Sequence, residues 1–345
     1  MKKRDLLKEK IHHIDITSFD AASIIEQYSN MAFQAKNLAR CAYIYDEMLA
    51  EPGCTVILCL AGSLFSAGLK KMVCDLVSHR MVDAIVSTGA IIVDQDFFEA
   101  LGFRHYRGSP HADDSVLMRR GIDRIYDTYI SEDELRTCDM TVKEIADRLS
   151  PEPHSSREFI EHMGRFLQEN AKGEGSVVRK SFEQGIPVFV PAFSDSSAGF
   201  GLVSHQWLRE KKPKVTIDSV KDFLELTRIK IASEDTGLFM IGGGVPKNFA
   251  QDVTVAADIL GKEVPMHKYA VQITVADERD GGLSGSTLRE AHSWGKVDSG
   301  NEQMLFCEAT VAAPLITSYA FHRQSWKKRK SKRFNDFLNN GNFRP

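Results

Sequence analysis

Short, fully apolar runs that end in glycine or small polar residues constrain the fold of this chain more than any other feature. Residues 55–60 read Thr-Val-Ile-Leu-Cys-Leu and lead into Ala61-Gly62-Ser63, and residues 84–90 repeat the pattern. Continuous apolar runs are typical of parallel strands that are covered on both faces. Helical patterns follow both runs, over residues 65–79 and 94–101. This alternation predicts an α/β fold with a doubly wound, mostly parallel sheet.

The same pattern resumes in the second half of the chain. Residues 186–192, 238–241 and 269–275 are strand-like, and the second of these runs into three glycines at 242–244. Residues 1–50 have apolar residues at helical spacing, which predicts helical additions before the first strand. Because no short repeat and no long linker interrupts the pattern, we expect a single domain over residues 1–322.

The middle of the chain is more polar. Thr141-Val-Lys-Glu144 matches a capping box, which predicts a helix beginning there and ending before Pro151. A second helix is expected within residues 151–175.

Composition and charge exclude several classes of protein. The net charge is −3, which does not favour nucleic acid as a partner of the whole molecule. There is no apolar run of about 18 residues and no secretory leader pattern at the start, so we expect a cytoplasmic protein without a membrane span. The six cysteines lack metal-ligand spacing, and His111-Ala-Asp113-Asp114 lacks further ligands, so no metal site is predicted.

The end of the chain differs from the rest. Residues 326–333 read Trp-Lys-Lys-Arg-Lys-Ser-Lys-Arg. A basic patch of this kind can bind nucleic acid or anionic lipid, but a solvated terminus explains it more simply. The sequence therefore predicts a basic, flexible C-terminal tail over residues 323–345.

Polar and glycine-rich segments follow four of the predicted strands, at residues 61–63, 87–90, 194–197 and 242–244. Ligands of open α/β sheets bind beyond the carboxyl ends of the strands, where backbone N–H groups can approach a phosphate. None of these segments is a dinucleotide fingerprint or a P-loop, and each alone could be only a turn. Together they predict a nucleotide crevice.

Lys296 is the strongest candidate for chemistry. A glycine-rich segment, Asp280 to Thr287, leads into a short helical stretch that ends Trp294-Gly295-Lys296. A lysine in a partly dry pocket beside an indole loses its proton more readily than one in water, and its neutral amine forms imines. A surface lysine whose stem packs on Trp294 is the alternative, and the local residues leave both open.

At the level of longer segments the chain resembles the deoxyhypusine synthase family, and it looks closest to its bacterial deoxyhypusine synthase-like branch. The resemblance runs from about residue 30 to residue 320, and the segment 280–296 is its most specific part. It implies the deoxyhypusine synthase fold, which is Rossmann-like. The matching segments are 33–40, 81–88, 185–192, 242–244 with Lys247, and 280–281 through 293–296.

The resemblance implies a definite chemistry. Members are NAD-dependent transferases, typically homotetramers with active sites between paired subunits. Spermidine is oxidised, an aminobutyl unit is held as an imine on a lysine, and the unit is passed to a protein lysine before the hydride returns. Lys296 stands at the position of the imine-forming lysine, Trp294 where an indole packs on the substrate, and Glu290 where an acid holds an amine.

The resemblance also implies the NAD-binding positions. They are the loop after the first strand, the end of the next strand, two cofactor-side acids and two further pairs of contacts. Glu308 replaces an aspartate in the last of these pairs. The positions are Ala61, Gly62, Ser63, Gly89, Ala90, Asp195, Val275, Ala276, Asp280, Glu308 and Ala309.

The substrate positions depart from the family pattern. Phe200 and Leu283 stand where the authentic synthases have aspartates, and Asn248 stands where they have a histidine. Near the nicotinamide position, Asp94 is a shortened acid and Gln95 has lost its charge. Because a polyamine needs compensating carboxylates when it leaves water, these changes should weaken spermidine binding severely if nothing replaces them.

The lysine and cofactor positions are thus kept while the amine pocket is changed. This pattern predicts an NAD-dependent aminobutyl transferase acting on a small amine, as in homospermidine formation, in preference to a protein lysine. Two alternatives stay open. One is hydrolysis of agmatine to putrescine and urea on the same fold without NAD, and the other is a non-catalytic binding protein.

Overall fold

The computed structural model describes residues 2–340 and is built on a parallel sheet of six strands. Its strands are β1 Cys54–Leu60, β2 Ala84–Val86, β7 Val188–Phe189, β9 Asp235–Ile241, β10 His267–Thr274 and β11 Val297–Phe306. Their order across the sheet is β11-β10-β9-β1-β2-β7. All five neighbouring pairs are parallel. If these six strands are numbered 1 to 6 along the chain, their order across the sheet from β7 to β11 is 3-2-1-4-5-6, which is the doubly wound arrangement. The predicted fold class is therefore confirmed.

Two smaller sheets stand beside the central one. Their strands are β3 Tyr106–Arg107, β4 Ile122–Ile125, β5 Thr128–Ser131, β6 Pro153–His154 and β8 Thr216–Ile217. An antiparallel sheet has the order β3-β5-β4, and a two-stranded parallel sheet pairs β6 with β8. None of these strands was predicted, because none lies in a continuous apolar run.

Helices cover both faces of the central sheet. The helices of the described chain are α1 Lys3–Leu6, α2 Ala22–Ser29, α3 Phe33–Ala50, α4 Lys70–Ser78, α5 Phe98–Ala100, α6 Asp114–Met118, α7 Glu132–Arg148, α8 Ser156–Asn170, α9 Val177–Gln184, α10 Ser197–Arg209, α11 Ser219–Ala232, α12 Gly244–Gln251, α13 Val253–Ile259, α14 Leu288–Ser293, α15 Ala309–Arg323 and α16 Phe334–Asn339. Of these, α1 and α6 pack with the small antiparallel sheet. π-helical turns at Phe65–Leu69 and Ala90–Phe97 lead into α4 and α5.

Strand β1 shows how the sequence divides the core between two layers. Val56, Leu58 and Leu60 join the cluster packed by helices such as α3, α4 and α15, whereas Ile57 and Cys59 join the cluster packed by α11 to α14. Successive side chains of a strand point to opposite faces, so a strand buried on both sides must be apolar throughout. The apolar run therefore has the role that its pattern predicted.

Three predictions about the helices and the tail need correction. Residues 1–50 are not helical throughout, because residues 7–21 form an irregular segment whose Ile11 N–H donates to the His105 carbonyl. The capping box at Thr141 does not begin a helix. Residue 141 lies inside α7, where its hydroxyl donates to the Thr137 carbonyl four residues earlier.

The predicted flexible tail is wrong for residues 323–340. Arg329 is buried and donates to the Asp83 carboxylate and to the Arg80 carbonyl. Lys332 donates to Thr55 Oγ1 at 2.7 Å, and Phe334 is buried at the start of α16. Arg329 is buried and Lys332 is half-buried, whereas the other basic residues of the segment are exposed, and a count of charges cannot distinguish them. Residues 341–345 of the predicted tail lie outside the described residues.

Candidate active site

Lys296 is held in a tight turn between α14 and β11. Gly295 has a left-handed φ of +70°, which a glycine adopts without steric cost. The Lys296 N–H donates to the Ala291 carbonyl at 3.1 Å, and its carbonyl accepts from the His267 N–H at 2.9 Å. The turn thereby fixes the lysine backbone to the last turn of α14 and to the start of β10.

The side chain of Lys296 is largely buried and paired. Only 13% of it is exposed, and its Nζ lies 2.5 Å from Asp252 Oδ1 and 3.5 Å from Asn248 Oδ1. The same Nζ lies 5.2 Å from the centroid of the Trp294 ring, within the range of a cation–π contact. Trp294 itself is 64% exposed, so the indole forms the rim of the site.

These groups belong to a cavity of about 680 Å³, which we call the lysine pocket. Asn248, Asp252 and Lys296 are in contact within it, and most of its other lining residues are apolar, which is the usual character of a small-molecule site. It brings together five residues that the sequence singled out: Asn248, Leu283, Glu290, Trp294 and Lys296. The full lining is Val220, Phe223, Leu224, Thr227, Asn248, Gln251, Asp252, Val255, Ala256, Ile259, Leu260, Gly281, Leu283, Ser286, Glu290, Ala291, Trp294 and Lys296.

Asp252 is the functional candidate that the sequence analysis missed. It follows α12, and its Oδ2 accepts from Asn248 Nδ2 at 2.7 Å. Residues four apart on a helix are neighbours, so the spacing of Asn248 and Asp252 could have shown that they share a face. Their contact with Lys296 depends on how α12 and α14 pack, which no local pattern contains.

A second cavity, of about 480 Å³, lies at the carboxyl ends of β1, β9 and β10, and we call it the glycine crevice. It lies where strand order reverses between β1 and β9, the position at which doubly wound sheets bind ligands. Its lining includes seven of the predicted cofactor residues: Ala61, Gly62, Ser63, Val275, Ala276, Glu308 and Ala309.

The lining of the glycine crevice has backbone features that are compatible with a phosphate-bearing ligand. Gly242 has a φ of +86°, and a Cβ there would come within 2.7 Å of the Ala61 carbonyl oxygen. A Cβ on Gly243 would come within 2.5 Å of Ser284 Cα. Both glycines therefore allow the backbone segments that form the wall of the crevice to pack closely against each other. The first turn of α15 faces the same cavity through Ala309 and Thr310. Backbone N–H groups in such a setting can bind phosphate oxygens.

The segment 281–286 is a wall shared by the two cavities. Gly281, Leu283 and Ser286 line the lysine pocket, and Ser284 lines the glycine crevice. Buried Lys247 supports this wall from behind: its Nζ donates to the Leu283 carbonyl at 3.2 Å, to Ser286 Oγ at 3.0 Å and to the Ser286 carbonyl. Burial lowers the pKa of Lys247 to about 8.

The remaining predicted residues lie elsewhere in the single chain. Asp94 and Phe200 do not line the lysine pocket, and Gly89, Ala90, Asp195 and Asp280 do not line the glycine crevice. Asp94 accepts from the Ser197 N–H at 2.7 Å, and burial raises its pKa to about 7. Phe200 is 67% exposed on α10. The substrate and cofactor roles of these residues stay predictions.

Gln95 is buried and has a structural role. Its Oε1 accepts from the backbone N–H groups of Phe65 and Ser66, both at 2.9 Å. The amide thus fixes the loop that follows β1, which lines the glycine crevice through residues 61–67.

Among residues 2–340, no three His, Cys, Asp or Glu side chains are grouped so that they could hold a metal ion. Over the same range no helix combines the length and apolar character needed to cross a membrane.

Comparisons with known proteins agree with this architecture. The profile of the family described as "Deoxyhypusine synthase" matches residues 23–320. A deoxyhypusine synthase-like protein of Chlorobaculum tepidum is 60% identical over 98% of this chain and 97% of its own length. One from Coxiella burnetii is 56% identical over 96% of this chain and 94% of its own. A solved protein from Entamoeba histolytica, described as a deoxyhypusine synthase, is similar in fold, with a TM-score of 0.61 at 19% identity over 90% of this chain and 97% of its own.

Proposed function

Because this chain belongs to the deoxyhypusine synthase family, we propose that it is an NAD-dependent aminobutyl transferase of polyamine metabolism that acts through an imine on Lys296. The observation that carries the proposal is the shared wall: the buried lysine and the glycine crevice lie on its two sides. A hydride acceptor and a nucleophilic amine must work on the same carbon chain in this chemistry, so their cavities must adjoin.

Each group then has a role. The backbone of residues 61–63 and 242–243 in the glycine crevice would hold NAD, which would supply a hydride acceptor there. Lys296 Nζ attacks the imine carbon of the oxidised amine, the first amine leaves, and the aminobutyl unit is held on the lysine. Asp252 takes the proton that Lys296 must release and balances the charge of the iminium, and Glu290 faces the cationic end of the substrate.

The substrate of this transferase is a small amine. Within the lysine pocket the carboxylates that can face a cation are Asp252 and Glu290, and Leu283 and Asn248 are neutral. The rest of the lining is mainly aliphatic, supplied by α11 and α13. Such a pocket suits a short diamine or triamine with one cationic end at the carboxylates and a methylene chain along the aliphatic wall.

A homotetramer with paired active sites is part of the proposal. Its support is the exposed apolar rim of the lysine pocket, where Val220 is 76% and Ile259 is 79% exposed. Exposed apolar surface of this kind marks an interaction site in soluble proteins. We expect light scattering to give four times the chain mass of 38.6 kDa, and a monomer at micromolar concentration would contradict the expectation.

A product screen by mass spectrometry tests the proposed function. The protein is incubated with spermidine, putrescine and agmatine, with and without NAD, beside Lys296→Ala and Lys296→Arg. Lys268→Ala is the matched control, because Lys268 pairs with Glu51 and Asp235 away from both cavities. We expect a transfer product such as homospermidine that requires NAD and Lys296. Putrescine and urea from agmatine without NAD would instead make the protein a hydrolase, and absence of all turnover would favour a binding protein.

A further inference from the structure

A tight hairpin reaches the glycine crevice from the small antiparallel sheet. Strands β4 and β5 pair with Ile125 opposite Thr128, which leaves Tyr126 and Asp127 as a two-residue turn. All four of these residues line the crevice. Neither the strand ends nor the glycine-rich segments of the sequence indicated this contribution.

The first residue of the turn has an unusual conformation. Tyr126 has a φ of +52°, and Asp127 is not among the residues with positive φ. A two-residue hairpin turn with positive φ at its first position alone is normally built with glycine there, because a side chain is strained. Tyr126 is also 72% exposed, so the ring gains little from burial in the folded chain. Strain that packing does not offset is a feature of functional sites.

The turn is held firmly from behind. Gly108 N–H donates to the Asp127 carbonyl at 2.7 Å, and Arg124 Nη1 donates to the Tyr126 carbonyl at 2.9 Å. Arg124 is itself fixed by two hydrogen bonds of 2.7 Å to the carboxylate of Asp114. The exposed ring is therefore carried on a backbone whose position is determined by the surrounding structure.

We propose that Tyr126 is a stacking platform for a planar ring of the dinucleotide in the glycine crevice. An exposed aromatic ring at the mouth of a cavity, on a rigid turn, offers a flat apolar face that a nucleobase or pyridinium can cover. The inference rests on the NAD binding in the proposed function, and it adds a binding residue from a part of the chain outside the parallel sheet.

Tyr126→Gly tests this inference because it removes the ring and suits the turn. We expect the Kd for NAD, measured by calorimetry, to rise about tenfold, while the thermal midpoint of the free protein does not fall. Tyr126→Phe should keep the affinity within about twofold. Glu210→Gly is the matched control, since Glu210 is another exposed residue with positive φ and lies outside the crevice. Its affinity for NAD should be unchanged.

Half-ligands identify the stacked ring. Weaker binding of ADP-ribose by Tyr126→Gly would assign the adenine, and weaker binding of nicotinamide mononucleotide would assign the pyridinium. Unchanged affinity for NAD in Tyr126→Gly would overturn the inference and leave the proposed function intact. A lowered thermal midpoint with weakened binding in both Tyr126 variants would also overturn it, by showing a structural role. Failure of the unaltered protein to bind NAD would overturn the cofactor part of the proposed function itself.

Discussion

The amine of Lys296 is paired with the carboxylate of Asp252, at 2.5 Å from Nζ to Oδ1. The other carboxylate oxygen of Asp252 accepts from Asn248 Nδ2 at 2.7 Å, so each oxygen has a partner and the orientation of the carboxylate is fixed. An amine must lose a proton before it attacks carbon, and Asp252 is the acceptor that contacts it. The Asp252 carboxylate also supplies an anion in a pocket where Leu283 and Asn248 are neutral.

Asp252→Asn keeps the shape of this group and removes its charge. We expect kcat to fall about 10²–10⁴-fold, the usual contribution of a positioned acid–base group, while the fold is retained. Steady-state kinetics with circular dichroism as a check on folding measures this. Asp258→Asn, an exposed change on the neighbouring helix α13, serves as the control. Equal activity of the two variants would remove Asp252 from the mechanism.

Lys247→Met should loosen the wall between the two cavities. The change removes the Lys247 donor from two Ser286 oxygens and from the Leu283 carbonyl, which keeps only its bond from Ser286 Oγ. We expect faster hydrogen exchange over residues 281–287 and a loss of turnover of at least about tenfold. Lys230→Met is the matched control: Lys230 is also fully buried, its pKa is also lowered to about 8 by burial, and it donates to Thr236 away from the wall. Protection of residues 281–287 should be unchanged in that variant.

The sequence predicted those parts of the molecule that depend on local pattern. The apolar runs at β1, β9 and β10 identified the parallel sheet. The resemblance singled out Lys296, Trp294 and Glu290 as site residues, and all three line the lysine pocket. Strand β11 was missed because it is an edge strand, and most of its residues from Asp298 to Gln303 are polar. An edge strand need not be apolar on both faces: β7, at the other edge, lies in an apolar run and was predicted, whereas β11 does not.

What remained hidden depends on tertiary packing. The Asp252–Lys296 pair joins the end of α12 to the turn that follows α14, and the Tyr126 turn enters the crevice from a separate sheet. The docking of the basic tail was hidden for the same reason, because Asp83 lies 246 residues away from Arg329. A run of basic residues is read as a solvated terminus when the buried acid that pairs with one of them is this distant in sequence.

Arg329 should contribute strongly to stability. Besides Asp83 it donates to the carbonyls of Arg80, Met48 and Cys54, so it fastens the tail to the starts of β1 and β2. Arg329→Met leaves a buried carboxylate without its partner, and we expect a loss of about 3–5 kcal/mol in the free energy of unfolding. Urea denaturation measures it. Lys330→Met, an exposed change in the same segment, should cost less than about 0.5 kcal/mol.

Asp94 should make stability depend on pH below neutrality. Burial raises its pKa to about 7 in the folded protein, whereas an unfolded aspartate titrates near pH 4. Between about pH 4 and 7 the folded state therefore holds a proton that the unfolded state has released, and the stabilisation from Asp94 is lost as pH rises through this window. Asp94→Asn mimics the protonated form and can still accept from the Ser197 N–H.

We therefore expect Asp94→Asn to match the unaltered protein in stability near pH 4 and to exceed it by about 1–4 kcal/mol at pH 8. Urea denaturation at several pH values measures the gap, with Asp258→Asn as a control whose gap should not change. The growth of the gap with pH is the informative quantity, because a purely structural effect of the substitution would be the same at every pH. A gap that is constant from pH 4 to 8 would show that Asp94 is ionised in the folded protein across this range, and that its carboxylate is free to face a cation.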